Sequence, residues 1–371
     1  MTEGQDFELR PVSFADLPRW QEDDPSSLAG AMCDCLVHLK SAKPYKTGSL
    51  GLTAGDLVSL LEQAAGLSGE SPETWRAFFE ATCEPFLIRR KDGERGFVTA
   101  FFEPEVEVSA APDETFRYPF YRRPDDLVDV NDANRPAGMD DYYEFGLQRD
   151  GVISYYPDRG TIERGYLEGR GLEIAWAKSR ADVFFTHVQG AARLRYPDGS
   201  LKRITYAAKA GHRFSGIGKL LIERGEIARE AISMQSIRAW LEANPDRADD
   251  VYWQNRSYIF FREAAVDDVT KGPIAAAKVP LVAGRSLAVD RRIHTFGFPF
   301  YIVSEAITHM DRDGHFARLM LALDTGSAIT GPARGDIFTG SGDEAGEMAG
   351  AVACPADFYI LLPKAAAARY R

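Results

Sequence analysis

The chain has 371 residues, 45% of them hydrophobic and 27% charged, a balance that fits a folded protein of two domains and argues against long disorder. A formal net charge of -11 leaves no overall basic face, so no nucleic-acid partner is expected. No apolar run approaches the ~20 residues that would cross a bilayer. The first ten residues are polar and acidic and lack the pattern of a secretion signal. Cys33, Cys35, Cys83 and Cys354 form no CxxC pair and read as buried thiols, with 33 and 35 diverging on a helix. The histidines are scattered and HExxH is absent, so no metal site and no cofactor are expected.

Residues 1–90 read as mainly helical. The stretch 53–66 is amphipathic through Leu57, Leu60 and Leu61, with Gly66 placed to end it. Trp75, Phe78 and Phe79 have helical spacing behind Pro72. Residues 86–88 and 97–102 are β-prone, and Lys91-Asp92-Gly93-Glu94 between them predicts a hairpin. Residues 118–134, rich in Pro and Asp, read as loop. A second hairpin is expected from 193–196 and 201–206 around Pro197-Asp198-Gly199. Ser233 caps a helix to Asn244 with Met234, Ile237, Trp240 and Leu241 on one face, and Pro245 is expected to stop it. Further on, short strands are predicted at 258–262, 279–289, 298–303, 319–323 and 358–362, the pattern of a barrel or sandwich. Asp343, Glu344 and Glu347 suit a helix start.

The chemistry concentrates in Leu323-Asp324-Thr325-Gly326-Ser327-Ala328-Ile329-Thr330-Gly331-Pro332-Ala333-Arg334-Gly335-Asp336-Ile337-Phe338-Thr339-Gly340-Ser341-Gly342. Glycines let backbone approach a ligand, and a carboxylate screened among them keeps a proton near neutral pH, as a general acid requires. The same pattern also suits two turn aspartates bonded to their own backbone.

This stretch, with Asp290 in Val289-Asp290-Arg291, resembles the three-aspartate (3D) motif of the membrane-bound lytic murein transglycosylase A family (MltA). Thr99-Ala100-Phe101-Phe102-Glu103-Pro104, Tyr118-Pro119-Phe120-Tyr121, Val188-Gln189-Gly190, Gly211-His212 and Ser233-Met234-Gln235-Ser236 follow in family order. The resemblance implies a mainly β fold. A double-psi β-barrel (barwin-like) domain with N-terminal helices would be formed by residues 1–98 plus 258–371. An inserted, mainly β domain, 99–257, would form the other wall of a glycan groove.

It also implies an exolytic transglycosylase that cleaves the bond between N-acetylmuramic acid and N-acetylglucosamine in peptidoglycan and leaves 1,6-anhydro ends. Asp336 would be the catalytic acid and then base. Asp324 would support it, in part by like-charge repulsion, and Asp290 would support the site structurally. Thr99, Phe101, Phe102, Glu103, Gln189, Lys209 and Gln235 would bind glycan. Family members imply a periplasmic monomer associated with the outer membrane, this chain being a mature or trimmed form. Phe101, Phe102, Ala191 and Ala210 stand where the family has Tyr, Tyr, Ser and Asn, which removes polar contacts to sugar. The rival readings are a glycoside hydrolase, with Glu103 as second carboxylate, and a wall-binding module without activity.

Overall fold

The computed structural model describes residues 6–41, 43–264, 266, 268–311 and 314–371. The chain divides into two compact units. The first takes Met1–Phe102, Val269–Gly340 and Glu344–Arg371, and the second takes Glu103–Asp268 and Ser341–Asp343. The architecture is mainly β with helices at the N-terminal end. No helix among the described residues is long and apolar enough to cross a membrane.

The first unit is built on an eight-stranded sheet. Its order is Phe7–Pro11, Cys83–Arg90, Ala353–Pro363, Pro299–Ser304, Phe316–Asp324, Ser286–Val289, Arg334–Ser341 and Gly96–Glu103. The last strand bonds back to Ala353–Pro363, so the six strands from Ala353–Pro363 to Gly96–Glu103 close into a ring. Ile302, Leu319, Leu321, Leu323, Ile337, Ile360 and Leu361 are fully buried in the core of this unit. The helices Ala29–Ser41, Gly55–Ala65 and Pro72–Thr82 add Cys35, Leu57, Leu61, Trp75 and Phe79 to the same core. Ser71 caps the third helix by accepting from Thr74 N, with Pro72 in the first turn, where its missing N–H costs nothing.

The predicted hairpin at 91–94 does not form. Both flanking strands run antiparallel to Ala353–Pro363, residues 83–87 against 359–363 and 96–99 against 353–356. The chain therefore jogs at Gly93 (φ 79) and continues in the same direction. An Asp-Gly turn signal fixes a local bend, and the long partner strand decides that the bend is not a reversal.

The second unit has a six-stranded sheet. Its order is Ile259–Ala264, Leu201–Lys209, Ala191–Arg195, Glu105–Ser109, Glu173–Ala177 and Tyr118–Tyr121. A three-stranded sheet, Leu127–Asp129, Phe145–Arg149 and Val152–Ser154, accompanies it. The hairpin around Asp198-Gly199 is present, with Arg195 opposite Leu201. Ser233 caps Met234–Ala243 in a reciprocal capping box with Ser236. The helix ends before Pro245 as expected, and Pro245 then opens a further helix, Pro245–Gln254, because proline is at home in a first turn. Two expectations need correction. The 118–134 stretch holds two short strands. Ile259–Ala264, expected in the barrel, pairs with Leu201–Lys209 and so belongs to the second unit, while Thr99 to Phe102 remain in the first.

All four cysteines are free thiols; Cys35 and Cys83 are buried as expected, whereas Cys33 is exposed.

Candidate active site

Asp336 is carried by the strand Arg334–Ser341, which lies antiparallel to Ser286–Val289 with Ala288 opposite Asp336. On its other side Ser286–Val289 runs parallel to Phe316–Asp324. There the register shifts by one residue, so that Leu287 faces Ala322 and Ala288 faces Asp324. Residues paired across strands share a face, so the shift brings Asp324 into the row of Asp336. The two carboxylates flank Ala288, two strand spacings apart, about 10 Å between Cα atoms. Alanine carries too little side chain to separate them.

The fourth member of the row is Thr99, on the neighbouring strand Gly96–Glu103. Its hydroxyl donates to Asp336 Oδ1. Arg334 Nη2 donates to the Thr99 oxygen at 2.7 Å, and its Nη1 donates to the carbonyl of Gly335. A guanidinium only donates, so Thr99 must accept from it, which leaves the Thr99 proton for Asp336. Asp336 Oδ2 has no hydrogen-bond partner among the described residues. With Oδ1 already accepting, a proton on this carboxyl is carried by Oδ2.

Asp336 is half-buried, and burial pushes its carboxyl up to about 6. The Thr99 hydrogen bond and the Arg334 charge pull it back, and the Asp324 charge adds the smallest push. The expectation that like-charge repulsion from Asp324 contributes is therefore corrected in weight: desolvation is the principal cause. Asp324 is itself raised to about 6 by burial, against backbone N–H groups of Ala276 (3.1 Å) and Thr325 and the charge of Lys278.

Asp290 is buried and structural in its contacts. Its Oδ2 accepts from Gly331 N at 2.9 Å and its Oδ1 from Arg292 N at 3.0 Å. His294 lies 2.7 Å from the Pro332 carbonyl through Nε2 and must donate there, because a carbonyl only accepts. Burial lowers His294 to about 4, so the ring is neutral at physiological pH. Asp290 and His294 together pin the Gly331-Pro332 segment that joins the two aspartate strands.

The structure corrects several of the expected glycan contacts. Glu103 is buried in the second unit with both oxygens engaged: Arg193 Nε at 3.0 Å, Arg203 Nε at 2.5 Å and Ser341 Oγ at 2.7 Å. It is a structural clamp and is not open to substrate. Phe102 is 7% exposed, and its ring lies where a Cβ on Gly346 would come within 2.8 Å, so it packs as core. Phe101 is half-buried against Phe338, with ring centroids 5.3 Å apart. The Gly335 backbone makes room for protein and not for a ligand, since a Cβ there would meet the Phe358 ring at 2.8 Å and Leu287 at 2.9 Å.

Gln189, Lys209 and Gln235 sit in the second unit on separate elements. Gln189 ends the helix Arg180–Gln189 and is half-buried, and Gln235 is exposed in the first turn of Met234–Ala243. Lys209 ends Leu201–Lys209, 9% exposed, with its ammonium 4.7 Å from the Tyr142 ring centre. Ala191 and Ala210 are buried. Arg334 is the residue that sequence reasoning passed over. It stands two positions before Asp336 and hence on the same strand face, a spacing that could have pointed to it.

Two family models match the chain: the MltA specific insert domain over residues 97–262 and the 3D domain over 285–362. The crystal structure of a membrane-bound lytic murein transglycosylase from Agrobacterium tumefaciens is 63% identical over 98% of this chain and 100% of that one, with a TM-score of 0.93. The chain belongs to the membrane-bound lytic murein transglycosylase A family. MltA from Neisseria gonorrhoeae, in its monoclinic form, is 28% identical over 97% of this chain and 94% of that one, with a TM-score of 0.75. Membrane-bound lytic murein transglycosylase A of Vibrio cholerae is 32% identical over 259 residues. That match takes in 68% of this chain and 61% of the curated relative's length. In MltA terms, the Asp336 row lies on the 3D segment, and Thr99 comes from the start of the segment matched by the insert model.

Proposed function

We propose that the protein is a lytic transglycosylase of peptidoglycan with Asp336 as its single acid and base. The observation that carries this reading is a carboxyl raised to about 6, with Oδ1 fixed by Thr99 and Oδ2 unpartnered. Protonated Oδ2 gives its proton to the glycosidic oxygen as the bond from the muramyl anomeric carbon to that oxygen breaks. The resulting carboxylate then accepts the proton of the muramyl 6-hydroxyl while that oxygen bonds to the anomeric carbon. The product is a 1,6-anhydro ring and no water is consumed. Because the nucleophile is tethered within the substrate, its effective concentration is high and one carboxyl suffices. The names of the relatives support the substrate class, and that class supports a periplasmic setting beside the outer membrane.

The six-strand ring supports the double-psi barrel reading of the first unit. Glycan contacts from Phe101, Gln189, Lys209 and Gln235 belong to this proposal as well.

One observation favours a second reading. Asp324 flanks Asp336 across Ala288, and a hydrolase could use it to activate water. Mass spectrometry of digested sacculi separates the two, with anhydro ends expected and reducing ends supporting hydrolysis. Asp336→Asn should lower release from sacculi by at least about a hundredfold, the usual scale of losing a general acid. Release equal to wild type would remove Asp336 from the mechanism.

A further inference from the structure

A cavity in the second unit takes no part in the acid site. It holds about 550 Å³, within the range that accepts a small ligand. Part of its wall is the turn Ile162–Tyr166, a π-type turn broken at Gly165 (φ 101). A Cβ on Gly165 would come within 3.0 Å of the Glu168 carboxyl carbon, so glycine here is what lets that carboxylate lie over the turn.

Some charges in the wall are already satisfied. Glu163 accepts from Arg159 Nη1 and Trp253 Nε1, each at 3.0 Å, and from Arg180. These bonds fix the frame. Four other wall charges are left to solvent: Glu168, Arg117 and Arg164 are exposed and Glu173 is half-buried. Among the described residues, Glu168, Glu173, Arg117 and Arg164 have no ion pair and no side-chain hydrogen bond. Glu168 and Glu173 line the cavity together with Tyr121, and burial, then the charges of Glu173 and Glu168, push its phenol up to about 12. Arg164 lies 4.7 Å from the Trp253 ring centre and Arg117 5.5 Å from that of Tyr118. Stacking orients a guanidinium yet leaves its N–H donors free.

Unpaired acids and unpaired arginines in one cavity complement a ligand that itself carries both signs. A neutral sugar chain does not, and a peptide with a free ammonium and a free carboxylate does. We propose that this cavity binds such a peptide, and, resting on the function proposed above, that it is the peptide stem borne by the glycan.

The test uses the full chain and calorimetry with the tripeptide N-acetyl-L-Ala-γ-D-Glu-meso-diaminopimelate, whose N-terminal amide reproduces the link to the glycan and leaves the diaminopimelate ammonium free. Saturable binding is expected. Acetylating its free amine, amidating its carboxylates, or introducing Glu168→Gln or Arg164→Gln should each weaken it about tenfold or more, the effect of one lost charge-assisted hydrogen bond. Variants are compared only where circular dichroism matches wild type, and Glu173→Gln and Arg117→Gln serve as the second pair. Absence of saturable heat at millimolar peptide, or equal binding of the capped peptide, overturns the proposal.

Release from intact sacculi and from glycan stripped of peptide then tests the stem. Slower release by the cavity variants from intact sacculi alone supports it, and equal loss or no loss on both substrates overturns it. If wild type releases glycan from neither substrate, the proposed activity falls, and the calorimetry still decides peptide binding.

Discussion

Burial outweighs the two groups that favour the charge of Asp336 and raises its carboxyl to about 6. A group that must begin protonated loses kcat/KM as pH rises, so the rate is expected to fall through about pH 6. Thr99→Val removes a hydrogen bond that lowers the carboxyl, and its alkaline limb should move to higher pH. A pH–rate profile of the two proteins checks this, and an unchanged limb would detach Thr99 from the acid.

The same shift is a statement about stability. A carboxyl raised on folding stabilises below the ordinary carboxylate range, and the contribution is lost as pH rises through about 6. Asp336→Asn keeps an acceptor for Thr99 and does not titrate. It should therefore be more stable than wild type at pH 7.5, by roughly 1–2 kcal/mol after allowing for partial exposure, with the gap closing near pH 4. Urea titration at both pH values measures it. At this scale the sequence was informative: the two aspartates and Thr99 stood in recognisable motifs. The role of Arg334 was not legible, because it depends on a hydroxyl 235 positions away in the chain.

Among the strands, registers that no local pattern encodes assemble the row. Short strand-like runs predicted strands at 298–303, 319–323 and 358–362, and these form, the first shifted by one residue and the other two longer at both ends. The strand Arg334–Ser341 was hidden by its glycines, which read as loop, and one of them exists to admit the Phe358 ring. Gly335→Ala should thus cost about 1–3 kcal/mol by overpacking, seen as a lower urea midpoint with an unchanged slope. The one-residue shift opposite Ala288 was equally invisible, since it arises where two distant segments meet. The turn at Asp92-Gly93 misled for a related reason: its chemistry is the same whether the chain reverses or only jogs.

Across the molecule, the resemblance placed an insertion in the chain, and contacts set its limits at Glu103 and Asp268. Glu103 is what the sequence misassigned, because a Glu in a family block looks the same whether it meets sugar or two arginines. Taking one charge from this buried cluster leaves Arg193 and Arg203 undercompensated. Glu103→Gln is expected to cost about 3–5 kcal/mol, the usual result of breaking a buried ion pair, in denaturant unfolding of the whole protein. A variant that kept full stability but lost activity would return Glu103 to the chemistry.

The strand Ala353–Pro363 bonds to Cys83–Arg90, Gly96–Glu103 and Pro299–Ser304 at once. During synthesis the ribosome delivers it after every strand that it pairs with. Until then the ring stays open on both flanks of the gap, and its apolar lining stands bare. The second unit, drawn almost wholly from one continuous run, can finish much earlier. A nascent chain halted shortly before Ala353 would thus carry one completed half and one sticky half, a natural client for chaperones.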